Sequence, residues 1–302
     1  MTTDHAAARV SKLGYVEFTT PDVERLSEYY QTCLGLHVEE RSSDVVYLNT
    51  GLDHHSVVIR KGEAGARTSV GYEVVRDLGD AHRSLADAGY EVSRRSDIAP
   101  STPDVLVLAE PGTDVPLHLY ESQTPAGGGA EPGPEYRPTK LGHVAAFSPS
   151  LKQIQGFYQD LLGFRWSDTI GDFFVFLRCN ADHHAANFLE SRKFSGMHHV
   201  AYEMRDLNHL QTTLDHLARN DFRLYWGPGR HGPGHNVFTY HRDPDGNTIE
   251  LFTQLDQMID EANGNFEPRP WHEDRPQVPK TWEVDIATAN AWGPVLPEIL
   301  DH

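Results

Sequence analysis

Cysteine and basic residues are both scarce in this sequence. Only Cys33 and Cys179 are present, so no disulfide framework is implied and a metal cluster held by thiolates is excluded by count. Lysine and arginine together number 26 against 44 aspartates and glutamates, and the formal net charge is −18. Because nucleic-acid binding needs a basic surface, the sequence predicts no nucleic-acid partner.

Long apolar stretches are missing as well. No run approaches the roughly 18 apolar residues that a membrane-spanning helix needs, so no membrane association is expected. The first residues, MTTDHAAARVSKLGYV, lack the basic start and apolar run of a secretory signal, and a cytoplasmic location is expected. With 38% hydrophobic and 23% charged residues, the composition is that of a globular protein with a sizeable core.

What the sequence does contain is an internal repeat. Five short segments recur in the same order and at nearly the same separation. The pairs are GYVEF (14–18) with GHVAAF (142–147), YYQTCLGL (29–36) with FYQDLLGF (157–164), LDHH (52–55) with ADHH (181–184), YEVVRDL (72–78) with YEMRDL (202–207), and PLHLY (116–120) with TIELF (248–252). We therefore predict two homologous domains at 1–123 and 140–254, a Gly/Pro-rich linker at 124–139 and a tail at 255–302.

Each domain divides again into two similar units. A strand-like segment precedes a helical pattern, in which Leu151, Ile154, Phe157 and Leu161 share one helix face. Short alternating runs typical of strands follow, and the pattern then repeats. The predicted fold class is α+β, with two homologous domains that each contain two βαβββ modules.

Three residues of the second domain have the side chains of a metal site. Strand side chains alternate between faces, so His143, His199 and Glu250 can each face the same concave side of a sheet. Two imidazoles and one carboxylate form a 2-His-1-carboxylate triad, which leaves coordination positions open and suits non-haem Fe(II). Any one of the three alone is more often an ordinary strand residue.

The first domain provides an internal control for this interpretation. Its residues at the corresponding positions are Tyr15, Ser69 and His118, which cannot form the same triad. We therefore expect one metal per chain, in the second domain, with the first domain as a structural support.

The motifs LGHV, MHHVAYE and GPGRHGPGHNVFTYHRDPDGNTIELF resemble those of type I extradiol dioxygenases of the vicinal oxygen chelate superfamily, over roughly residues 12–254. GPGRHG, TWEVD and WGPVLP are most similar to the homoprotocatechuate 2,3-dioxygenase branch. The resemblance implies the vicinal oxygen chelate fold and cleavage of a catechol-type aromatic diol beside its hydroxyls, in aromatic compound degradation. O₂ would be the co-substrate and a muconic semialdehyde the type of product. It also implies Fe(II), with Mn(II) as the alternative, and a homo-oligomer.

The resemblance also assigns roles to side chains around the triad. His184 would be the acid-base of the pocket, and His231 and Tyr240 would hydrogen-bond the bound diol. Each of these residues also has a structural interpretation. His184 could belong to a histidine pair that the fold requires, since His54 and His55 form the same pair in the first domain. His231 could equally be a surface residue and Tyr240 a core residue.

Substrate choice is predicted from Trp226, which stands directly before GPGRHG. Homoprotocatechuate enzymes are expected to hold the substrate carboxylate with arginines, and an indole here favours a neutral ring substituent. Arg192, Arg205, Arg223 and Arg230 leave an anionic substrate open.

Two other functions and two roles for the tail stay open. The same fold could serve a glyoxalase-like isomerase or thiol transferase, or a drug-binding protein without a metal. The tail could cap the pocket or contact another subunit, since it places Phe266, Trp271, Trp282 and Trp292 among many prolines.

Overall fold

The computed structural model describes residues 6–63, 69–127, 133–194, 196–269 and 275–295. The elements of the first half are β1 (Val10–Thr20), α1 (Val23–Thr32), β2 (His37–Arg41), β3 (Val45–Asn49), β4 (Val57–Lys61), β5 (Ser69–Val74), α2 (Leu78–Asp87), β6 (Val92–Arg95), β7 (Val105–Ala109) and β8 (Pro116–Tyr120).

The second half repeats this order and continues into the tail. Its elements are β9 (Lys140–Ser148), α3 (Leu151–Gly156), a π-helical turn (Phe157–Leu161), β10 (Arg165–Ile170), β11 (Phe174–Arg178), β12 (Ala186–Glu190), β13 (Gly196–Glu203), α4 (Leu207–Arg219), β14 (Leu224–Arg230), β15 (Val237–Arg242) and β16 (Thr248–Thr253). The tail elements are β17 (Met258–Asp260), β18 (Asn265–Phe266), β19 (Lys280–Trp282) and α5 (Ile286–Ala289).

Each half forms one mixed sheet from two βαβββ modules. The strand order is β2-β3-β4-β1-β5-β8-β7-β6 in the first sheet and β14-β15-β16-β13-β9-β12-β11-β10-β19 in the second. The first and last strands of every module are parallel neighbours, and the two modules of a half join through antiparallel first strands, β1 with β5 and β9 with β13. The predicted α+β fold of paired modules is confirmed.

The helix of each module begins at a polar N-cap residue. The side chains of Asp22, Asp77, Ser150 and Asp206 each accept a hydrogen bond from the backbone N–H three residues further on. Such caps satisfy backbone donors that the first helical turn leaves without a partner. The four caps therefore fix the residue at which each helix begins after its strand.

The helix of the third module differs from the prediction at its end. The π-helical turn at Phe157–Leu161 widens the last turn and rotates the following side chains. Leu162 is therefore fully buried, while Leu161, which the helical pattern placed on the buried face, is only half-buried.

One apolar core runs through both halves beneath the helices. Tyr72 of the first half packs edge-on against Phe164 of the second, with ring centroids 5.5 Å apart. The Tyr158 hydroxyl donates to Glu110 Oε1 at 2.6 Å across the same boundary. The two sheets are thus joined by a shared core and by polar contacts across their boundary.

The tail folds back onto the second half of its own chain. Strand β19 adds to the edge of the second sheet in parallel with β10, so that Asp168 lies beside Lys280. Trp271 of the tail and residues 128–132 of the predicted linker lie outside the described residues. Among the described helices, none is long and apolar enough to cross a membrane.

Candidate metal centre and active site

The register of three neighbouring strands brings the predicted triad together. On the antiparallel pair β9 and β13, His143 lies opposite Ala201 and His199 lies opposite Ala145. On the parallel pair β13 and β16, Ala201 lies beside Glu250. The two alanines leave space above the sheet, so both imidazoles and the carboxylate can reach the same point.

The three donor atoms converge at nearly equal separations. His143 Nε2 and His199 Nε2 each lie 3.1 Å from Glu250 Oε2, and the two ring nitrogens lie 3.2 Å apart. Ligands on one face of an octahedron with metal–ligand bonds of about 2.1 Å are separated by about 3 Å. The residues therefore fit a divalent metal bound through one face, with the other coordination positions open.

The protonation of the triad also suits a metal. Burial alone would raise the pKa of Glu250, but the electrostatic interactions and hydrogen bonds that His143 and His199 make with the carboxylate hold that pKa well below its usual value. Burial lowers the pKa of His199, which favours a neutral imidazole. A carboxylate and neutral ring nitrogens are the forms in which these side chains bind metals.

Polar contacts outside the triad orient two of its members. The amide of Asn236 donates to Glu250 Oε1 at 2.9 Å. Nδ1 of His198 lies 2.6 Å from Nδ1 of His199, so a proton on His199 Nδ1 would leave its Nε2 free to bind a metal.

The third ligand, His143, is held by packing. Its Nδ1 has no hydrogen-bond partner among the residues that the structure describes. Its ring lies between Phe252, at a centroid distance of 5.0 Å, and His184, at 4.3 Å. A Cβ on Gly142 would lie 2.4 Å from the Phe252 ring, so glycine at 142 is what lets this phenylalanine support the ligand.

The structure places His184 beside the triad. The side chain is almost fully buried, and its ring packs against His143 and, at a centroid distance of 5.3 Å, against Phe176. Burial is the main cause that lowers the pKa of His184 well below its usual value. This lowered pKa favours the neutral imidazole, which can accept a proton.

Tyr240 and His231 lie beside Glu250. The Tyr240 hydroxyl donates to Glu250 Oε2 at 3.0 Å and lies 3.3 Å from His231 Nε2. His231 Nδ1 lies 2.6 Å from the carbonyl oxygen of Ala289, so it carries the proton and leaves Nε2 as an acceptor. Burial lowers the pKa of His231 to about 4. Tyr240 is thus buried and in direct contact with Glu250, and His231 lies within hydrogen-bonding distance of Tyr240.

Trp226 forms an aromatic wall next to these two residues. Its indole stacks on the Tyr240 ring at a centroid distance of 5.2 Å and an interplanar angle of 13°, and it packs against Phe238 at 4.5 Å. The indole N–H donates to the carbonyl oxygen of Pro294 at 3.0 Å. The tail therefore supplies backbone acceptors to both Trp226 and His231.

Two of the arginines that could have bound an anionic substrate have other partners. Arg230 donates to the carbonyl oxygen of His235 at 2.6 Å and to Gln254 Oε1 at 2.8 Å. Arg205 pairs with Asp206 on the surface. Neither of these contacts directs a guanidinium towards the triad.

Some contributors to the site were not identified from the sequence. Asn236 lies two and four residues before Phe238 and Tyr240, so strand alternation could have placed it on the same face. The carbonyl groups of the tail left no such signal, because any residue type can supply them.

Comparison with known proteins agrees with this geometry. A family model described as the Glyoxalase/Bleomycin resistance protein/Dioxygenase superfamily matches residues 12–126 and 140–251. Metapyrocatechase 2 of Cupriavidus necator is 35% identical over 123 residues, which are 40% of this chain and 38% of that protein. A manganese-dependent 2,3-dihydroxybiphenyl 1,2-dioxygenase of Geobacillus genomosp. 3 is 21% identical over 91% of this chain and 94% of its own length.

Among solved structures, homoprotocatechuate 2,3-dioxygenase of Arthrobacter globiformis superposes with a TM-score of 0.83. The match covers 99% of this chain and 94% of that one at 24% sequence identity. The two proteins share a fold over almost their whole lengths, and this confirms the fold that the resemblance implied.

Proposed function

The chain belongs to the Glyoxalase/Bleomycin resistance protein/Dioxygenase superfamily, and within it we propose that the protein is an extradiol dioxygenase. It would insert both atoms of O₂ into a catechol-type aromatic diol and give a muconic semialdehyde-type product. The observation that carries this proposal is the convergence of His143, His199 and Glu250, with His184 packed on His143 and Tyr240 hydrogen-bonded to Glu250.

The cofactor that fits the site is a divalent metal, with Fe(II) as our first choice and Mn(II) as the alternative. His143, His199 and Glu250 would hold it. When bound, it would supply Lewis acidity towards the two diol oxygens and a binding position for O₂ beside the ring. A metal held by these three residues would keep its other coordination positions for the reactants.

The surrounding side chains would handle protons and orientation. His184, neutral and buried, would accept a proton from a diol hydroxyl and return it later in the reaction. The Tyr240 hydroxyl donates to Glu250 Oε2, and its oxygen would accept a hydrogen bond from a substrate hydroxyl on that side of the site. His231 would accept a hydrogen bond at Nε2, since its Nδ1 proton faces Ala289. Fixing these groups before the substrate arrives lowers the entropic part of the barrier.

The substrate that suits the wall beside the site has a neutral ring substituent. Trp226 offers an apolar surface, and its single N–H already donates to Pro294. A carboxylate placed there without a partner would carry a desolvation penalty of several kcal/mol. We therefore propose that alkyl-, aryl- or halogen-substituted catechols are better substrates than homoprotocatechuate or protocatechuate.

The direct test is oxygen uptake by the Fe(II)-loaded protein in the presence of a panel of catechols. We expect one O₂ consumed per diol, together with a yellow ring-fission product. The matched control is His118→Ala, which alters the corresponding position of the other half and should leave uptake unchanged. If no diol is cleaved and a thiol adduct of a 2-oxoaldehyde is isomerised instead, the protein is a glyoxalase-like enzyme. Tight drug binding without metal would indicate the binding protein.

The homo-oligomer and the cytoplasmic location stay predictions. Size-exclusion chromatography with light scattering checks the former, and fractionation of the source cells checks the latter. A monomer in solution would show that the tail serves only its own chain.

A further inference from the structure

Behind His184 lies a buried pair of polar residues that the proposed reaction has not yet used. His183 Nδ1 lies 2.9 Å from His184 Nδ1, and His183 Nε2 lies 3.1 Å from Asp168 Oδ2. His183 and Asp168 are 1% and 3% exposed, so solvent does not compete for these contacts. The three side chains form one line that ends at the triad.

The chemistry of this line determines where its protons lie. A carboxylate only accepts hydrogen bonds, so His183 must donate from Nε2 to Asp168. A His183 that carries one proton has it on Nε2, so its Nδ1 is an acceptor, and this acceptor faces Nδ1 of His184 at 2.9 Å. His184 must therefore carry its proton on Nδ1, which leaves Nε2 unprotonated.

The tail holds the carboxylate end of the line. The backbone N–H of Lys280 donates to Asp168 Oδ1 at 2.8 Å, and the indole N–H of Trp282 donates to Oδ2 at 2.7 Å. Both donors belong to β19, which pairs with the strand of Asp168. Asp168 is thus supplied with donors on both oxygens and has no freedom to turn away from His183.

We propose that Asp168 and His183 are positioning residues, which keep the proton of His184 on Nδ1 and present its bare Nε2 to the substrate. This inference rests on the proposed function in one respect, namely that the substrate brings a hydroxyl proton to His184.

The first half contains a matched version of the same line. His54 Nδ1 lies 3.1 Å from His55 Nδ1, and His54 Nε2 lies 3.1 Å from Glu40 Oε1. The Glu40 side chain is 50% exposed. The pair itself is therefore a feature of the fold, and what distinguishes the second half is the buried carboxylate with its donors from the tail. His54→Leu is the control for His183→Leu.

The test reads the tautomer of His184 directly, by ¹⁵N NMR of the full chain labelled at histidine. His184→Phe identifies the signals by their loss. We expect the Nδ1–H tautomer in the wild type and a change to mainly Nε2–H in His183→Leu. His183→Asn, whose side-chain oxygen can accept in place of Nδ1, should restore the Nδ1–H form. Asp168→Ala should give a mixture of the two forms.

A kinetic measurement on the Fe(II)-loaded enzyme accompanies the spectra. In His183→Leu we expect kcat to fall about 10- to 100-fold with little change in KM, and His54→Leu to match the wild type. An Nε2–H tautomer in the wild type, or Nδ1–H retained in both His183→Leu and Asp168→Ala, overturns the inference. So does an equal loss of kcat in His54→Leu. If no diol is cleaved at all, the proposed function fails, while the tautomer still decides this inference.

Discussion

The two halves of the molecule share the same strand arrangement but differ in the side chains at the positions of the candidate site. In the first sheet Tyr15 lies opposite Gly71, and Gly71 lies beside His118. This register is the same as that of His143, Ala201 and Glu250 in the second sheet. The sequence comparison that matched Tyr15 and His118 to two members of the triad is therefore confirmed.

The first half closes the space that the second half leaves open. The Tyr15 hydroxyl and His118 Nδ1 are hydrogen-bonded at 2.8 Å, so the two side chains satisfy each other. A Cβ on Gly71 would lie 2.3 Å from the Tyr15 ring, which shows how completely that ring covers the sheet. Burial lowers the pKa of His55 to about 3 and of His118 to about 4, as expected for neutral core histidines.

The comparison shows which residues separate a site from a core. A histidine pair precedes the fourth strand of the first module in both halves, but the carboxylate and the hydroxyl do not recur. His118 stands where the second half has Glu250, and Val107, opposite His118, stands where it has Tyr240. The second half thus differs from the first by two imidazoles and a buried carboxylate in place of Tyr15, Ser69 and His118, and by the Tyr240 hydroxyl beside that carboxylate, and these side chains make it the candidate metal site.

The largest effect is expected from removing a triad member. His143→Ala, His199→Ala or Glu250→Ala should abolish oxygen uptake and weaken metal binding by about 100-fold or more, since each removes a ligand. Ring-fission assays and metal analysis after dialysis measure the two losses. His118→Ala is the control in the other half, and full activity in any of the three triad variants would remove that residue from the metal site.

A smaller but still large effect is expected for the residue beside the triad. His184→Phe should keep its metal and lower kcat by about 100-fold or more, because the proton acceptor is lost while all three ligands remain. His55→Phe makes the same change in the first half and should leave kcat unaltered. Single-turnover kinetics with metal content measured on the same sample would separate the two effects. Wild-type turnover in His184→Phe would show that the pair serves the fold only.

Substrate preference should shift by roughly tenfold when the aromatic wall is changed. In Trp226→Arg we expect kcat/KM for carboxylated catechols to rise relative to that for 3-methylcatechol, because a guanidinium can pair with the carboxylate. Tyr225→Arg adds the same charge on the neighbouring, more exposed position and should not change the ratio. A wild-type enzyme that clearly prefers the carboxylated substrates would show that another group binds them.

The smallest effect concerns the stability of the first half, where Tyr15 and His118 fill the space of the candidate site. His118 has a pKa of about 4 in the folded chain against an ordinary 6.5, so below pH 6.5 the unfolded chain binds a proton that the folded chain does not. The stability that depends on a neutral His118 is therefore fully present above pH 6.5, and it is lost as the pH falls from 6.5 towards 4. When the pH falls from 7 to 5, the free energy of unfolding should decrease by about 2 kcal/mol less in His118→Asn than in the wild type. Urea titrations of both proteins at pH 7 and pH 5 measure these free energies. An equal decrease in the variant and the wild type would contradict the lowered pKa of His118.

The sequence was informative where the signal was local and periodic. The repeated segments predicted four modules, and strand alternation predicted that His143, His199 and Glu250 share a face. The π-helical turn escaped prediction because one additional residue in a helical turn leaves the pattern almost unchanged. Asp168 could not be assigned to His184 from the sequence, since its partners Lys280 and Trp282 lie far along the chain and join it only when β19 pairs.

The most direct test of the difference between the halves is the number of metal ions per chain. The protein, stripped of metal and reloaded anaerobically with Fe(II), would be dialysed and its iron and protein measured together. We predict one ion per chain in the wild type and in His118→Ala, and almost none in Glu250→Ala. Two ions per chain, or one ion retained in Glu250→Ala, would contradict the account.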